Sequence, residues 1–145
     1  MRFMMFVKAN ERSEAGELPD GEGAARVGAL MEEMVSAGVL VAAEGLKPSS
    51  AAKRVTYSGG TVSAVTDGPF TEAKELVAGF TWIDVPSWDE ALAWTARFAA
   101  AAGEGVVEIR PLYEVSDFPD DVLPPDAAAS EQSLRDALTE KLTAR

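Results

Sequence analysis

The sequence predicts an α+β fold of the ferredoxin-like class, a split βαβ arrangement with an inserted β-hairpin. Two amphipathic stretches of helical length alternate with four apolar runs of strand length, in the order strand, helix, strand, strand, helix, strand. Gly59 and Gly60 lie between two further β-like runs, where adjacent glycines supply the positive φ angles of a tight hairpin turn. A chain of 145 residues is long enough for one domain with its own core.

Each element of the first half has its own sequence signal. Residues 2–9 form an apolar, β-compatible run, and Asp20 is a suitable cap for a helix that ends at Gly38. The predicted core side of that helix is Val27, Leu30, Met31, Met34 and Val35. Residues 39–44 are the second predicted strand, and the loop Lys47-Pro48-Ser49-Ser50 follows it.

The second half repeats the pattern after the hairpin. Ser87 and Glu90 form a capping box that begins the second helix, and Gly103 ends it. The predicted core stripe of this helix is Trp88, Ala91, Leu92, Thr95, Phe98, Ala99 and Ala102. The remaining strands are predicted over residues 54–57 and 61–66, which form the hairpin, and over residues 78–85 and 106–113.

Composition changes near residue 116, so the folded domain is predicted to span residues 1–116. Residues 117–145 form an acidic, proline-containing tail that begins without apolar periodicity. Within this tail, residues 130–145 predict a helix with Leu134, Leu138 and Leu142 on one narrow stripe. A stripe of that kind favours docking of the helix on another surface.

The chain carries 24 acidic against 13 basic residues, a net charge of -11. Such a field repels phosphate backbones and anionic lipids, so nucleic-acid and membrane partners are disfavoured. No apolar run is long enough to span a bilayer, and the first eight residues are too short and too soon charged for a signal peptide. We therefore expect a cytoplasmic protein.

Cysteine and histidine are both absent from the chain. Their absence excludes disulfides, thiolate nucleophiles and imidazole catalysis, so proton transfer would need Asp, Glu, Lys or Tyr. A metal site would have to be built from carboxylates, and none is expected. No glycine-rich phosphate-binding motif follows a predicted strand, so no nucleotide cofactor is expected either.

The predicted sheet has one face that two helices cannot cover. The strands over residues 2–9 and 78–85 carry large apolar side chains on both faces. An exposed apolar face of that size is unusual for a monomer. We therefore expect a homodimer in which two sheets pack face to face, with a pocket between each sheet and its loops.

The strongest indication of a functional site is the segment Asp67–Leu76, with the sequence DGPFTEAKEL. It combines a turn with four charged side chains directly between two predicted strands. A simple connection needs no charges at fixed offsets from its turn, so this density predicts a site.

Four ordered segments of the chain stand out together. They are Glu44-Gly45-Leu46-Lys47-Pro48-Ser49-Ser50, Asp67-Gly68-Pro69-Phe70 with Glu72, Lys74 and Glu75, Gly79-Phe80, and Glu108-Ile109-Arg110-Pro111. Over about residues 1–115 the chain resembles the YCII-related, or DGPF-domain, family. The resemblance implies a dimeric α/β-barrel made from two ferredoxin-like subunits.

The resemblance implies little about activity, because most members of the family have no known function. An Asp with a nearby His has been suggested as a catalytic pair in some members, and others are encoded near or fused to sigma factors. In this chain Lys47 stands where many relatives carry His. Only Asp67 of the suggested pair is therefore present.

Two interpretations of Asp67 stay open. Its carboxylate can accept backbone N–H bonds from residues 68–70 and fix the turn, or it can act as a partly buried general base at a pocket mouth. The candidate ligand-binding residues are Lys47, Ser49, Ser50, Arg54, Phe70 and Lys74. Their structural alternatives are turn hydrogen bonds for the serines, packing for Phe70, solvation for Lys74, and an ion pair for Arg54 with Glu44, Glu108 or Asp84.

Two functions of different classes follow from these residues. The first is a small cofactor-independent enzyme, an isomerase, lyase or hydrolase, that uses Asp67 as base on a small polar or carboxylated molecule. In it, Lys47, Lys74 or Arg54 binds the negative charge of the ligand. The second is a non-catalytic module that binds a metabolite or a protein partner, where the family context suggests a sigma factor and the tail supplies the contact.

Overall fold

The computed structural model describes residues 1–144 and contains a four-stranded antiparallel sheet, a separate two-stranded hairpin and four α-helices. The strands are Arg2–Lys8 (β1), Leu40–Gly45 (β2), Lys53–Ser58 (β3), Thr61–Asp67 (β4), Val77–Asp84 (β5) and Val107–Pro111 (β6). The helices are Glu11–Glu14 (α1), Gly21–Ser36 (α2), Trp88–Ala102 (α3) and Pro125–Thr143 (α4). Single 3-10 turns occur at Ser49–Ala51, Ala73–Glu75 and Val115–Asp117.

The main sheet has the strand order β2-β5-β1-β6, and each neighbouring pair is antiparallel. The hairpin β3–β4 is an insertion and is left out of this count. Of the remaining strands, the first and third along the chain, β1 and β5, are central, and the second and fourth, β2 and β6, are the edges. This is the ferredoxin-like arrangement, so the predicted fold class is confirmed. The sheet of a single chain is open at both edges, and closure into a barrel requires a second copy.

Helices α2 and α3 cover one face of the sheet. The Asp20 side chain accepts the Gly23 N–H at 2.6 Å, and Ser87 accepts the Glu90 N–H at 3.3 Å, so both predicted N-caps are confirmed. The buried core between sheet and helices is Phe3, Met5, Leu30, Met34, Val39, Ile83, Val85 and Ala91. The Phe3 ring also meets the Trp88 ring edge-on, with the centroids 4.8 Å apart.

The helix stripes differ from their prediction at several positions. Five residues predicted on the core side are exposed, namely Val35, Trp88, Leu92, Ala99 and Ala102. Trp94 and Ala101 pack against the core instead. The reason is that α2 and α3 contact each other as well as the sheet. Each buried stripe is therefore rotated toward the neighbouring helix, which periodicity within one helix cannot show.

The opposite face of the sheet is not covered by α2 or α3. Met4, Phe6, Phe80 and Trp82 alternate with the core residues of their strands and are partly exposed on this face. The predicted apolar open face is thus present. The homodimer that it led us to expect stays a prediction.

The tail carries a longer helix than predicted, because α4 begins at Pro125 rather than near residue 130. Proline is well tolerated in the first turn of a helix, because the N–H group that it lacks would have no partner within the helix there. Helix α4 lies beside the sheet end that holds Arg2 and Asp84, and Arg135 Nη1 donates to the Tyr113 carbonyl at 2.6 Å. Among the described residues no helix, α4 included, is long and apolar enough to cross a membrane.

Candidate functional site

Ser49 connects three separate parts of the chain at the base of the hairpin. Its side chain is buried, and its hydroxyl donates to Oε2 of Glu14 on α1. The same hydroxyl accepts the Phe70 N–H at 3.0 Å, while the Ser49 N–H donates to Glu14 Oε1 at 3.0 Å. The loop after β2 and the segment after β4 are therefore held at fixed positions by one side chain.

Gly68 allows these two segments to approach closely. Its N–H donates to the Ala52 carbonyl at 2.9 Å, and the Gly68-Pro69 peptide bond is cis. A Cβ added at Gly68 would overlap the Ser49 carbonyl oxygen and lie 2.7 Å from its carbonyl carbon. Only glycine fits at this position, which explains the Gly of the DGPF sequence in this chain.

Phe70 lies two residues after Gly68, and the Arg54 side chain packs on its ring. The Arg54 Cζ lies 3.7 Å from the ring centroid, a cation–π distance. Arg54 forms no ion pair within residues 1–144, so its predicted pairing with Glu44, Glu108 or Asp84 is wrong. The reason is that β3 belongs to the separate hairpin, which does not join the sheet that bears those carboxylates.

These residues surround a cavity of about 330 Å³ beside the hairpin base. Four predicted ligand-binding residues line it, Lys47, Ser49, Arg54 and Phe70. The apolar part of the lining includes Leu46, Leu76 and Val77. Apolar walls with a few polar groups are typical of small-molecule sites.

The cavity is lined by two cations and one carboxylate. Lys47 and Arg54 form no ion pair among residues 1–144, and the Glu14 carboxylate, which also lines the cavity, accepts two hydrogen bonds from Ser49. The cationic groups are therefore free to meet a ligand. Within the same residues no three Asp or Glu side chains are grouped so that they could hold a metal ion.

Asp67 lies outside this cavity. Its carboxylate is paired with Lys53 Nζ at 2.5 Å, and the two side chains are 74% and 65% exposed. The expected partial burial is therefore wrong, and so is the expected turn in which Asp67 accepts N–H groups of residues 68–70. The Gly68 and Phe70 N–H groups donate to Ala52 and Ser49 instead.

The strand register explains where Asp67 lies. Lys53 pairs with Asp67 across the hairpin, and Arg54 pairs with Thr66. Because neighbouring residues of a strand face opposite sides, Asp67 and Arg54 lie on opposite faces of the hairpin. The proposed base and the proposed cation are thus separated by the hairpin itself.

Two other candidate residues also lie away from the cavity. Ser50 is exposed in the 3-10 turn Ser49–Ala51, and Lys74 is exposed in the turn Ala73–Glu75. Neither side chain lines the cavity. The Lys74 side chain is therefore exposed to solvent, which is the structural alternative given for it above.

Sequence reasoning missed Glu14, which fixes Ser49. The signal that could have located its helix is the pair Asn10 and Ser13, which form a capping box: each side chain accepts the other's N–H at 2.9 Å. Lys53, the partner of Asp67, was missed as well. Its pairing depends on the hairpin register rather than on any local motif.

The fold and this cavity define a small α+β protein with a cationic, partly apolar site at the base of an inserted hairpin. The family model of the YCII-related domain matches residues 1–116, so the chain belongs to the YCII-related family. The resemblance inferred from the sequence is therefore confirmed.

Two individual proteins are similar to this chain. The chain is 38% identical over 94 residues to an uncharacterized protein of Rhizobium meliloti (strain 1021), a match that covers 63% of this chain and 75% of that protein. A solved structure that resembles this chain is the 5-chloro-2-hydroxyhydroquinone dehydrochlorinase (TftG) of Burkholderia phenoliruptrix AC1100 in complex with 2,5-dihydroxybenzoquinone. It has a TM-score of 0.46 and 15% identity, and the match covers 82% of this chain and 100% of that one.

Proposed function

We propose that this chain binds a small carboxylate-bearing molecule in the cavity at the base of the hairpin. The observation that carries the proposal is the pair of cations, Lys47 and Arg54. They line a largely apolar cavity and form no ion pair in residues 1–144, because the one carboxylate of the lining, Glu14, is bonded to Ser49. An unpaired cation beside apolar walls favours a ligand that supplies both an anionic group and an apolar body.

Arg54 is the main recognition residue in this proposal. Its guanidinium packs on the Phe70 ring, and the N–H groups at its edges can still bind a ligand. A planar guanidinium can bind a carboxylate through two parallel hydrogen bonds. Lys47 adds a second, more mobile positive charge.

The volume of the cavity limits the size of the ligand. A space of about 330 Å³ lies at the lower end of the range for small-molecule pockets. Metabolites with one ring or a short chain fit such a space, whereas dinucleotides do not.

Catalysis by Asp67 is the second candidate function. In it, Asp67 acts as general base on the bound molecule, and the protein is a cofactor-independent isomerase, lyase or hydrolase. The position of Asp67 in the chain favours this function. Asp67 directly precedes Gly68, and the Gly68 backbone contacts the cavity residue Ser49. Binding is preferred because Asp67 is paired with Lys53 on the other face of the hairpin.

Calorimetric titration with benzoate, malonate and inorganic phosphate tests the binding proposal. We expect one of the carboxylates to bind, and Arg54→Gln to weaken binding at least about tenfold, the effect of losing a charged hydrogen bond. Lys47→Gln should weaken it less. Lys74→Gln is the matched control, because it removes an exposed lysine outside the cavity and should leave the affinity unchanged.

Two results would contradict the binding proposal. One is that none of the three anions binds the folded protein, and the other is that Arg54→Gln and Lys74→Gln have equal effects. For the catalytic candidate, turnover of the bound carboxylate must be lost in Asp67→Asn while its affinity is retained. Unchanged turnover in that variant would exclude Asp67 as the base.

A further inference from the structure

A second cavity, of about 320 Å³, lies between the sheet and the helices α2 and α3. Its roof is formed by apolar side chains of the two helices, Val27, Met31 and Phe98. All three belong to the core stripes predicted for their helices, yet they are only partly buried. The layer between helices and sheet is therefore incompletely filled beneath them.

The floor of this cavity is the part of the sheet with the smallest side chains. Gly45 of β2 pairs with Gly79 of β5, and Ala43 pairs with Thr81. Thr81 also pairs with the core residue Met5 of β1, so this side of the sheet faces the helices. A Cβ added at Gly79 would lie 3.0 Å from a carbonyl oxygen of β2, which leaves little room for a side chain there.

Thr81 is the buried polar residue of this floor. It is only 4% exposed, and its hydroxyl makes no hydrogen bond within residues 1–144. Burial of a hydroxyl without a partner is unfavourable, and most buried polar groups in proteins are hydrogen-bonded. A bound molecule with one hydrogen-bonding group would supply the missing partner.

The charge of this cavity differs from that of the cavity at the hairpin base. Among the described residues, Glu44 is the single charged residue of the lining, and it makes no ion pair. A carboxylate ligand would be repelled by Glu44 and would find no cation to bind. The lining therefore favours an uncharged ligand.

The volume sets the size of that ligand. An apolar cavity of about 150 Å³ is known to hold one benzene ring. A space of about 320 Å³ is therefore large enough for two fused rings.

We propose that the cavity under α2 and α3 binds an uncharged, largely apolar molecule of about two fused rings, which forms one hydrogen bond with the Thr81 hydroxyl. The ring system contacts Val27, Met31 and Phe98 above and the bare strand surface at Gly45 and Gly79 below. This site is separate from the carboxylate site at the hairpin base, and it does not depend on ligand binding there.

Equilibrium dialysis with 1-naphthol, which is uncharged at neutral pH, tests the proposal. We expect the wild-type chain to bind it and Gly45→Leu to weaken binding at least about tenfold, because the leucine side chain occupies the cavity. A Cβ at Gly45 has no heavy atom within 4 Å, so the substitution fits the fold. Gly28→Leu is the matched control, because Gly28 has equal space on α2 but lies outside the cavity, and it should leave the affinity unchanged.

A second variant tests the hydrogen bond independently of cavity filling. Thr81→Val keeps the branched shape of the side chain and removes the hydroxyl. It should weaken binding of 1-naphthol about fivefold, the effect of losing one neutral hydrogen bond, and leave the affinity for naphthalene unchanged. Circular dichroism of each variant confirms that the fold is kept.

Arg54→Gln separates this site from the carboxylate site. In that variant 1-naphthol should bind as it does to the wild type, whereas 1-naphthoate should not bind.

Four results would overturn the proposal. They are no binding of 1-naphthol to the wild-type chain, equal affinities of Gly45→Leu and Gly28→Leu, an equal effect of Thr81→Val on 1-naphthol and naphthalene, and loss of 1-naphthol binding in Arg54→Gln. The last result would mean that 1-naphthol binds at the hairpin base instead.

Discussion

Ser49 and Gly68 form the backbone contact on which the cavity depends. The Gly68 Cα approaches the Ser49 carbonyl group so closely that a side chain has no space, and both groups belong to the backbone. A side chain at position 68 would therefore clash with the Ser49 backbone unless one of the two loops moved. Such a movement would displace Phe70, and with it Arg54.

We expect Gly68→Ala to lower the free energy of unfolding by about 2 kcal/mol or more, because the overlap with backbone atoms cannot be relieved by a rotamer change. Urea denaturation measures the difference. Gly28→Ala on α2 is the matched control, because an added Cβ there has no heavy atom within 4 Å. Its expected effect is a gain of about 0.5 kcal/mol from helix propensity, and equal losses at the two sites would contradict the explanation.

Ser49→Ala removes the hydroxyl that joins Glu14 to the Phe70 N–H. We expect a loss of about 2 kcal/mol, since a partly buried N–H and a partly buried carboxylate oxygen lose their partner. Ser50→Ala, one residue along and exposed, should stay within about 0.5 kcal/mol of wild type. Equal effects in thermal denaturation would show that Ser49 has no special role.

Strand β1 is joined to the segment after β6 by an ion pair. Arg2 donates through Nε to Glu114 Oε1 at 3.1 Å and through Nη2 to Oε2 at 2.8 Å. The hydrogen bond from Arg2 lowers the pKa of Glu114 below its ordinary value of 4.5, while burial opposes the shift and the charges of Arg2, the N-terminus and Arg135 support it. The same hydrogen bond raises the pKa of Arg2.

This shift gives a pH dependence with a definite sign. Because the folded-state pKa of Glu114 is lower than the unfolded value, its stabilisation is complete above pH 4.5 and is lost as the pH falls through the folded-state pKa. We expect Glu114→Gln to cost roughly 1 kcal/mol at neutral pH, a value reduced by solvent screening, and the difference from wild type to shrink in acid. Thermal denaturation across pH measures it.

Glu104→Gln is the control for this pair, since Glu104 is exposed and makes no ion pair within residues 1–144. Its stability should follow that of the wild type at every pH. A Glu114→Gln deficit that stays constant from neutral pH into acid would contradict the assignment, because it would not depend on the charge of the carboxylate.

The sheet, the two covering helices and the hairpin turn could be predicted because their signals are local. Capping residues, periodicity and the Gly59-Gly60 pair each act over a few positions, and both glycines have positive φ as expected. Helix α1 has only four residues, too few for a periodic pattern, so only its capping residues Asn10 and Ser13 could have indicated it. The role of Glu14 depends on its meeting Ser49, which lies 35 residues away in the chain.

The candidate site was predicted in part for a related reason. Lys47, Ser49, Arg54 and Phe70 come together because the loop after β2 and the turn after β4 share the base of the hairpin. Asp67 does not join them, because the bulge at Ser63 and the hairpin register decide which side each residue faces. The spacing of charges along the chain carries no information about that register.

The chain as a whole is strongly acidic, with a net charge of -11, yet its cavity at the hairpin base is lined by two cations and a single carboxylate. The hairpin separates two surfaces: one side of its base borders the cavity, and the other side carries the exposed apolar residues Val55, Tyr57, Val62 and Val65.

The most direct test of the account is amide chemical-shift mapping by NMR, with the isotope-labelled chain titrated by whichever of benzoate or malonate binds more tightly. We expect concentration-dependent shifts at Ala52, Arg54, Phe70 and Leu76, which surround the cavity at the hairpin base. Shifts confined to the region around Arg2 and Arg135, with none at Arg54 or Phe70, would contradict ligand binding in that cavity.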